Sequence, residues 1–151
     1  MISGRAIVFL LTLSLILLFA QCGQKESVIA PNIAALLGTW QLVEPDSTYD
    51  VTLTFAYDSR NPPQDITPFN VTGKASVNSY SARLFATLDG TLSADNVAST
   101  DMAGSPQALQ FERVYFDNLG TVARYELPAP NQLRMYHGGK QPGVLVYKRI
   151  K

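Results

Sequence analysis

Ser105-Pro106-Gln107-Ala108-Leu109-Gln110-Phe111-Glu112-Arg113-Val114-Tyr115-Phe116-Asp117-Asn118-Leu119-Gly120 is the stretch on which the fold turns. Serine is a good helix N-cap, and proline at the first helical position gives up no hydrogen bond that the helix would use. Ala108, Phe111, Tyr115 and Leu119 then recur at helical spacing as one apolar stripe, while Gln110, Arg113, Asp117 and Asn118 are free to face water. Gly120 is the expected stop. The spacing predicts a helix over about 106–119. A helix this short is held by packing rather than propensity, so its stripe must lie against an apolar surface.

The flanking sequence supplies that surface as strands. Upstream, Pro31 to Leu37 reads as one or two helical turns, and Gly38 to Val43 as a first strand. Val51, Leu53 and Phe55 alternate with Thr52, Thr54 and Ala56, which predicts a half-buried second strand. Residues 58–68 contain Asn61-Pro62-Pro63 and read as a loop, followed by a third strand over 69–73. Ala82, Leu84, Ala86 and Leu88 share one face of a further strand, and Asp89-Gly90 predicts a hairpin returning from Thr91. Downstream of the helix, strands are expected at about 121–127, 132–137 and 144–150, separated by turns at 128–131 and 138–143. Short turns imply antiparallel pairing. The predicted fold class is therefore mainly β: an antiparallel, open or cracked barrel-like sheet of about eight strands with one inserted α-helix.

The N-terminus is of another kind. Arg5 is the only charge before an apolar run of about fifteen residues, Ala6 to Ala20, where roughly 20 would be needed to span a bilayer. The run suits the core of a secretory signal. It ends in Leu18-Phe19-Ala20-Gln21-Cys22-Gly23, which resembles the lipobox of bacterial lipoproteins, with Gln21 where Gly, Ala or Ser is usual. The resemblance implies cleavage before Cys22 and acylation of that cysteine. Residues 1–21 then form the signal peptide, residues 22–33 a tether and residues 34–151 the folded domain. Cys22 is the lipidation site, and the acyl chains make the membrane the first partner. Gly23 replaces the Asp that retains enterobacterial lipoproteins in the inner membrane, which favours the outer membrane.

Composition narrows the function classes. Twelve Lys and Arg balance twelve Asp and Glu, with no basic stripe, so nucleic acid is not an expected partner. Cys22 is the only cysteine, so no disulfide forms within the chain. Roughly 130 residues remain after the leader, enough for one domain with a real core.

Leu37-Gly38-Thr39-Trp40 is the most specific motif of the domain. Both lipocalins and the META domain (HslJ-like) family open a β-barrel in this way. Phe69 to Tyr80 resembles the META segment of strand, glycine and Asn-x-aromatic step. Ala98 to Gly104 resembles its Ser-Thr-x-Met-Ala motif, Phe111 to Leu119 its helix, and Leu133 to Tyr136 and Leu145 to Tyr147 its closing strands. A lipocalin would place its long helix after the barrel strands, not before the last three. Many META members carry two cysteines where Val77 and Gly104 stand here, so a thiol or disulfide role in those members does not transfer. The resemblance implies an envelope or secreted protein linked to stress and resistance, without an agreed biochemical activity. At the level of fold it is also similar to pilot lipoproteins that escort secretins, which is weak evidence of function.

No catalytic, metal or cofactor-binding residue stands out, and an enzyme is not expected. His137 is the only histidine, beside a Gly-rich turn, and reads as a solvated residue. It has no second His or Cys for a zinc site. A Ser-His-Asp set is arithmetically available, but no nucleophile motif accompanies it. Phe55, Phe69, Leu84 and Phe85 are candidates to line a ligand cavity, although residues of this kind more often fill a core. Asn78 lies in the family-like motif, where capping a turn is its expected role. Asn70-Val71-Thr72 matches a glycosylation sequon that carries little weight in a bacterial envelope protein. The expected function is a membrane-anchored, non-enzymatic binding or assembly domain for an envelope protein or apolar ligand. The alternative is a lipocalin-like carrier of a lipid or small hydrophobe, and a hydrolase with an unrecognised site comes third.

Overall fold

The computed structural model describes residues 31–151 apart from 62 and 63. The leader and Cys22 lie outside the described residues. A helical turn, α1 (Pro31–Ala34), precedes strands β1 (Gly38–Glu44), β2 (Thr52–Tyr57), β3 (Ile66–Ala75), β4 (Asn78–Thr87) and β5 (Leu92–Ser99). Helix α2 (Pro106–Gly120) follows, and then β6 (Val122–Ala129), β7 (Gln132–His137) and β8 (Gly143–Arg149). The strands form one antiparallel sheet in the order β5-β4-β3-β2-β1-β8-β7-β6, as the short turns require. The sheet curls into a half-barrel. Its two outer strands approach where Thr91 bridges Arg124 and Tyr125 N–H donates to Gly90 C=O at 2.8 Å. The expected order of strands, one helix and three closing strands is therefore what the chain adopts. Among the described residues, no helix is long and apolar enough to cross a membrane.

Several local expectations differ. β3 begins at Ile66, inside the expected loop, and includes Pro68. β2 ends at Tyr57 opposite Phe69, so Pro68 is flanked by β4 on one side and lies beyond the β2 ladder on the other. A missing N–H is tolerated there. Leu88 does not continue the buried row Ala82, Leu84 and Ala86: β4 stops at Thr87, and Leu88 is exposed in the turn. In the Asp89-Gly90 turn only Gly90 has positive φ (+87°), and Gly90 N–H donates to Thr87 C=O at 3.2 Å. The connection is a three-residue loop ending in a left-handed glycine, not a two-residue turn.

Helix α2 starts as expected. Ser105 Oγ accepts the Ala108 N–H at 3.2 Å, and Pro106 occupies the first turn. Its end differs: Gly120 is the last helical residue, and Thr121 is the cap, with negative φ (−114°). The Thr121 hydroxyl and N–H serve the last free carbonyls in place of a left-handed glycine. The innermost row is Ala108, Glu112, Tyr115 and Leu119, so Phe111 sits at the boundary, half-buried, with its ring centroid 4.5 Å from that of Tyr49.

The core lies between the concave face of the sheet and α2, and includes Trp40, Phe69, Leu84, Leu119, Met135 and Tyr147. Trp40 is fully buried, and its indole N–H donates to Leu36 C=O at 2.8 Å. The guanidinium of Arg149 lies 4.1 Å from the Trp40 ring and donates to the carbonyls of Ala35, Leu37 (2.6 Å) and Pro130 (3.1 Å). A cation over an indole at a half-buried site is worth about 1 kcal/mol. One residue thus ties the end of the chain to the α1–β1 link and the β6–β7 turn.

Candidate functional site

Two buried polar systems position α2. In the first, Glu112 faces the β3–β4 turn, where Ser76 adopts φ +53°. Its Oε1 accepts the N–H groups of Val77 (2.7 Å) and Asn78 (2.6 Å), and its Oε2 accepts the side-chain amide of Asn78 (2.6 Å). Asn78 Oδ1 in turn accepts from Thr100 Oγ1 and Met102 N–H, both at 2.8 Å. One carboxylate and one carboxamide thereby join α2, the β3–β4 turn and the segment after β5. The charge of Glu112 is met by three N–H donors, which is how a buried carboxylate is tolerated.

The second system is a row of tyrosines. The hydroxyls of Tyr147 and Tyr115 lie 3.2 Å apart, those of Tyr115 and Tyr80 lie 2.7 Å apart, and Tyr80 donates to Thr52 C=O at 2.9 Å. Each hydroxyl donates once when the chain runs from Tyr147 to Thr52. Burial pushes all three phenols well above their ordinary range.

These anchors seat α2 against β4 and β5 and leave a groove along its other side. One part, about 300 Å³, lies between the helix and the start of the β1–β2 loop, with Leu42, Pro45, Phe111, Tyr115 and Leu145 in its walls. The other part, about 460 Å³, lies between the helix end and the β7–β8 loop, with Asp117, Thr121, Gly139, Lys140 and Gln141. Val114 and Asn118 line both, so the two parts adjoin. Val114 is 47% exposed, the one large apolar side chain of α2 left so open. The first part is apolar, and the second adds carboxamides, a hydroxyl and charges of both signs. The arrangement suits binding of a mixed apolar and polar ligand.

The residues singled out from the sequence do not converge on this groove. Asn78, expected to cap a turn, instead has its side chain bridge Glu112 to Thr100 and Met102 in the segment after β5. His137 is buried, contrary to the expectation of a solvated side chain. It continues the inward row Leu133 and Met135 along β7, and Gly143 opposite leaves room for the imidazole, since a Cβ there would lie 3.0 Å from Nε2. Phe55, Phe69 and Leu84 are packed in the core. Phe85 points to the opposite face, beneath the Arg83 guanidinium at 5.1 Å, because side chains alternate along β4. Arg83 also donates to the buried carboxylate of Asp58 at 2.7 Å. Hydrogen bonds from Asn61 and Arg60, with the Arg83 charge, hold that carboxyl below its usual range. Among the described residues, no three His, Cys, Asp or Glu gather as a metal cluster. Glu112 and the groove lining were not anticipated. A period that counted Glu112 with Ala108, Tyr115 and Leu119 is the signal that would have found the first.

Gly73 of β3 pairs with Tyr80 of β4, and a Cβ at Gly73 would meet the Tyr80 ring at 2.7 Å. The glycine and the Asn-x-aromatic step are thus one packing unit: Asn78 holds the helix and Tyr80 covers the glycine. The META domain family model matches residues 34–149. The chain belongs to the META domain family. The META domain accounts for the folded part of the chain almost end to end. An NMR structure of a protein from Burkholderia xenovorans is similar, with a TM-score of 0.56 and 22% identity over 85% of this chain and 97% of that one. That likeness shows the fold alone. No curated protein matches the chain. In this META domain, Val77 and Gly104 lie side by side: a Cβ on Gly104 would lie 3.5 Å from Val77 Cβ.

Proposed function

We propose that this chain is a lipid-anchored envelope protein whose META domain binds a partner and does not turn over a substrate. The observation that carries this proposal is the placement of the groove. The chain enters the domain through α1, which sits beside the start of β1 and the end of β8, where Arg149 holds it. The groove is lined from the other ends of those strands, by Leu42, Pro45 and Leu145 and by the loop before β8. Acylation of Cys22 would leave the stretch between it and Pro31 as a tether that reaches at most about 30 Å. The groove thus lies at the ends of β1 and β8 opposite the point where the tether joins the domain. Two or more acyl chains make such an anchor stable, and Gly23 favours the outer membrane.

Binding is supported over catalysis by how the polar groups are used. Glu112, the deepest carboxylate of the helix, is consumed by three N–H donors, and His137 is walled in by Gly143. Binding at the surface is supported over carriage inside the barrel because Phe55, Phe69, Leu84 and Tyr115 occupy the interior where a carrier would hold its ligand. The test is Cys22→Ser in cells fed a fatty-acid analogue. Wild type should label and sediment with membranes, and the variant should do neither. Equal labelling and sedimentation of both would overturn the anchored reading.

A further inference from the structure

We infer that the end of the half-barrel where the chain enters rests on the membrane, with Leu88 and Ile66 dipping into the lipid interface. The inference rests on the anchored reading above and adds which face of the domain meets the lipid. β1, β3, β5 and β7 begin at this end, and β2, β4, β6 and β8 finish there. The α1–β1 link is fixed to it from two sides. Asn32 Nδ2 donates to Leu88 C=O at 3.1 Å, and Arg149 donates to the carbonyls of Ala35 and Leu37. The chain therefore passes into the domain beside the β4–β5 turn.

Of the five large apolar side chains left exposed among the described residues, three belong to this end: Ile66, Leu88 and Ile150, between 44% and 57% exposed. Ile66 pairs with Thr87, the residue before Leu88, and Ile150 N–H donates to Thr39 C=O at 2.8 Å, at the start of β1. Ile66 also walls a recess of about 330 Å³ with Pro68 and Phe85, which carries the apolar surface onto the outer face of the sheet. Exposed apolar residues scattered singly are ordinary. These border the point at which a short acylated tether emerges, and the anchor holds that point near lipid. Two or three aliphatic side chains are too few to keep a free domain on a bilayer, but a tether makes their contact intramolecular, so a weak interaction suffices. The loops of the opposite end carry Asp46, Asp50, Asp101 and Lys140 instead. At the entry end Asp65 and Asp89 offset Lys148 and Lys151, so anionic headgroups are not selected and salt should change the contact little.

The test uses the full chain, purified from membranes and reconstituted into phosphatidylcholine vesicles that are then floated. Cys22 is the only cysteine, so once it is acylated an introduced cysteine is the one free thiol for a fluorophore. Leu88→Cys and Ile66→Cys report on the entry end, and Met102→Cys, equally exposed, reports on the opposite one. All three replace exposed side chains, so the fold and its melting temperature should be unchanged. An apolar face at the interface sits about 5–10 Å deep, within reach of a quencher carried on lipid. Nitroxide-labelled lipid should quench the probes at 88 and 66 at least threefold more than the probe at 102. Changing Ile66 and Leu88 together to Asp should at least halve the quenching of a probe at Ile150→Cys. Equal quenching at 88, 66 and 102 in protein that floats with the vesicles would overturn the docking and leave the anchor standing. Protein that does not float would overturn the anchored reading and the docking with it. In the Cys22→Ser chain without lipid, the probes at 88 and 102 should be equally open to iodide. Shielding at 88 alone would mean that the tether or a second copy of the chain covers this end, and would overturn the inference.

Discussion

Glu112 Oε2 accepts the side-chain amide of Asn78 at 2.6 Å, in a site where the two residues are only 3% and 5% exposed. The pair latches the domain together, since Glu112 holds the β3–β4 turn and Asn78 holds the segment that leads from β5 into the helix. Removing the carboxylate strands three donors in a dry site. Glu112→Ala should lower the unfolding free energy by about 3 kcal/mol or more. Glu112→Gln should fall between that variant and wild type, because it keeps one acceptor for the two backbone N–H groups but sets a second amide against Asn78 Nδ2. Denaturant titration measures both. A Glu112→Ala midpoint equal to that of wild type would remove the latch from the account.

The tyrosine row carries a pH dependence of definite sign. Tyr80, Tyr115 and Tyr147 have phenols raised by burial in the folded chain, against an ordinary value of 10.0. The folded state therefore binds more protons than the unfolded state above that value. The stability these groups confer is complete below about pH 10 and declines as pH rises beyond it. Thermal melts from neutral to strongly alkaline pH should show that decline, and Tyr147→Phe should make it shallower. An unchanged slope in Tyr147→Phe would contradict the assignment.

Much of this architecture is legible in the sequence because it is periodic. The alternation in Val51 to Phe55 and the helical stripe through Tyr115 and Leu119 both have buried partners where the periods put them. The site was not legible in the same way. Glu112 carries a charge at a position that turns inward only because the β3–β4 turn presents three N–H groups to it. His137 follows the inward row of β7, but its Gly-rich neighbours suggested solvent. The groove exists only once the β1–β2 loop, α2 and the β7–β8 loop are assembled. Each of those segments, taken alone, has ordinary surface residues.

Val77 and Gly104 offer a direct test of register. Their Cβ positions would be 3.5 Å apart, within the roughly 3.5–4.5 Å that a disulfide needs. The double variant Val77→Cys, Gly104→Cys should close a disulfide under oxidising conditions. It should then be more stable than its own reduced form by about 3 kcal/mol. Free-thiol titration and paired melts check both statements. Two persistently free thiols under oxidant would show that the β3–β4 turn and the segment before α2 do not meet as described.

The core and the surface of α2 should respond differently. Trp40→Ala removes a fully buried ring and the platform for Arg149, and should cost about 3–5 kcal/mol. Arg113→Ala, on the exposed side of the helix, should change stability by no more than about 0.5 kcal/mol. Chemical denaturation of the two variants side by side measures the contrast. A Trp40→Ala chain as stable as Arg113→Ala would mean that the core is not centred where it is drawn.

The proposed anchor places the META domain at a membrane through acylated Cys22. Intact mass spectrometry of the mature protein, with sequencing of its N-terminal peptide, tests it most directly. The predicted result is a chain that begins at Cys22 and carries the added mass of a diacylglycerol on that residue. A mature chain beginning elsewhere, or an unmodified Cys22, would contradict it.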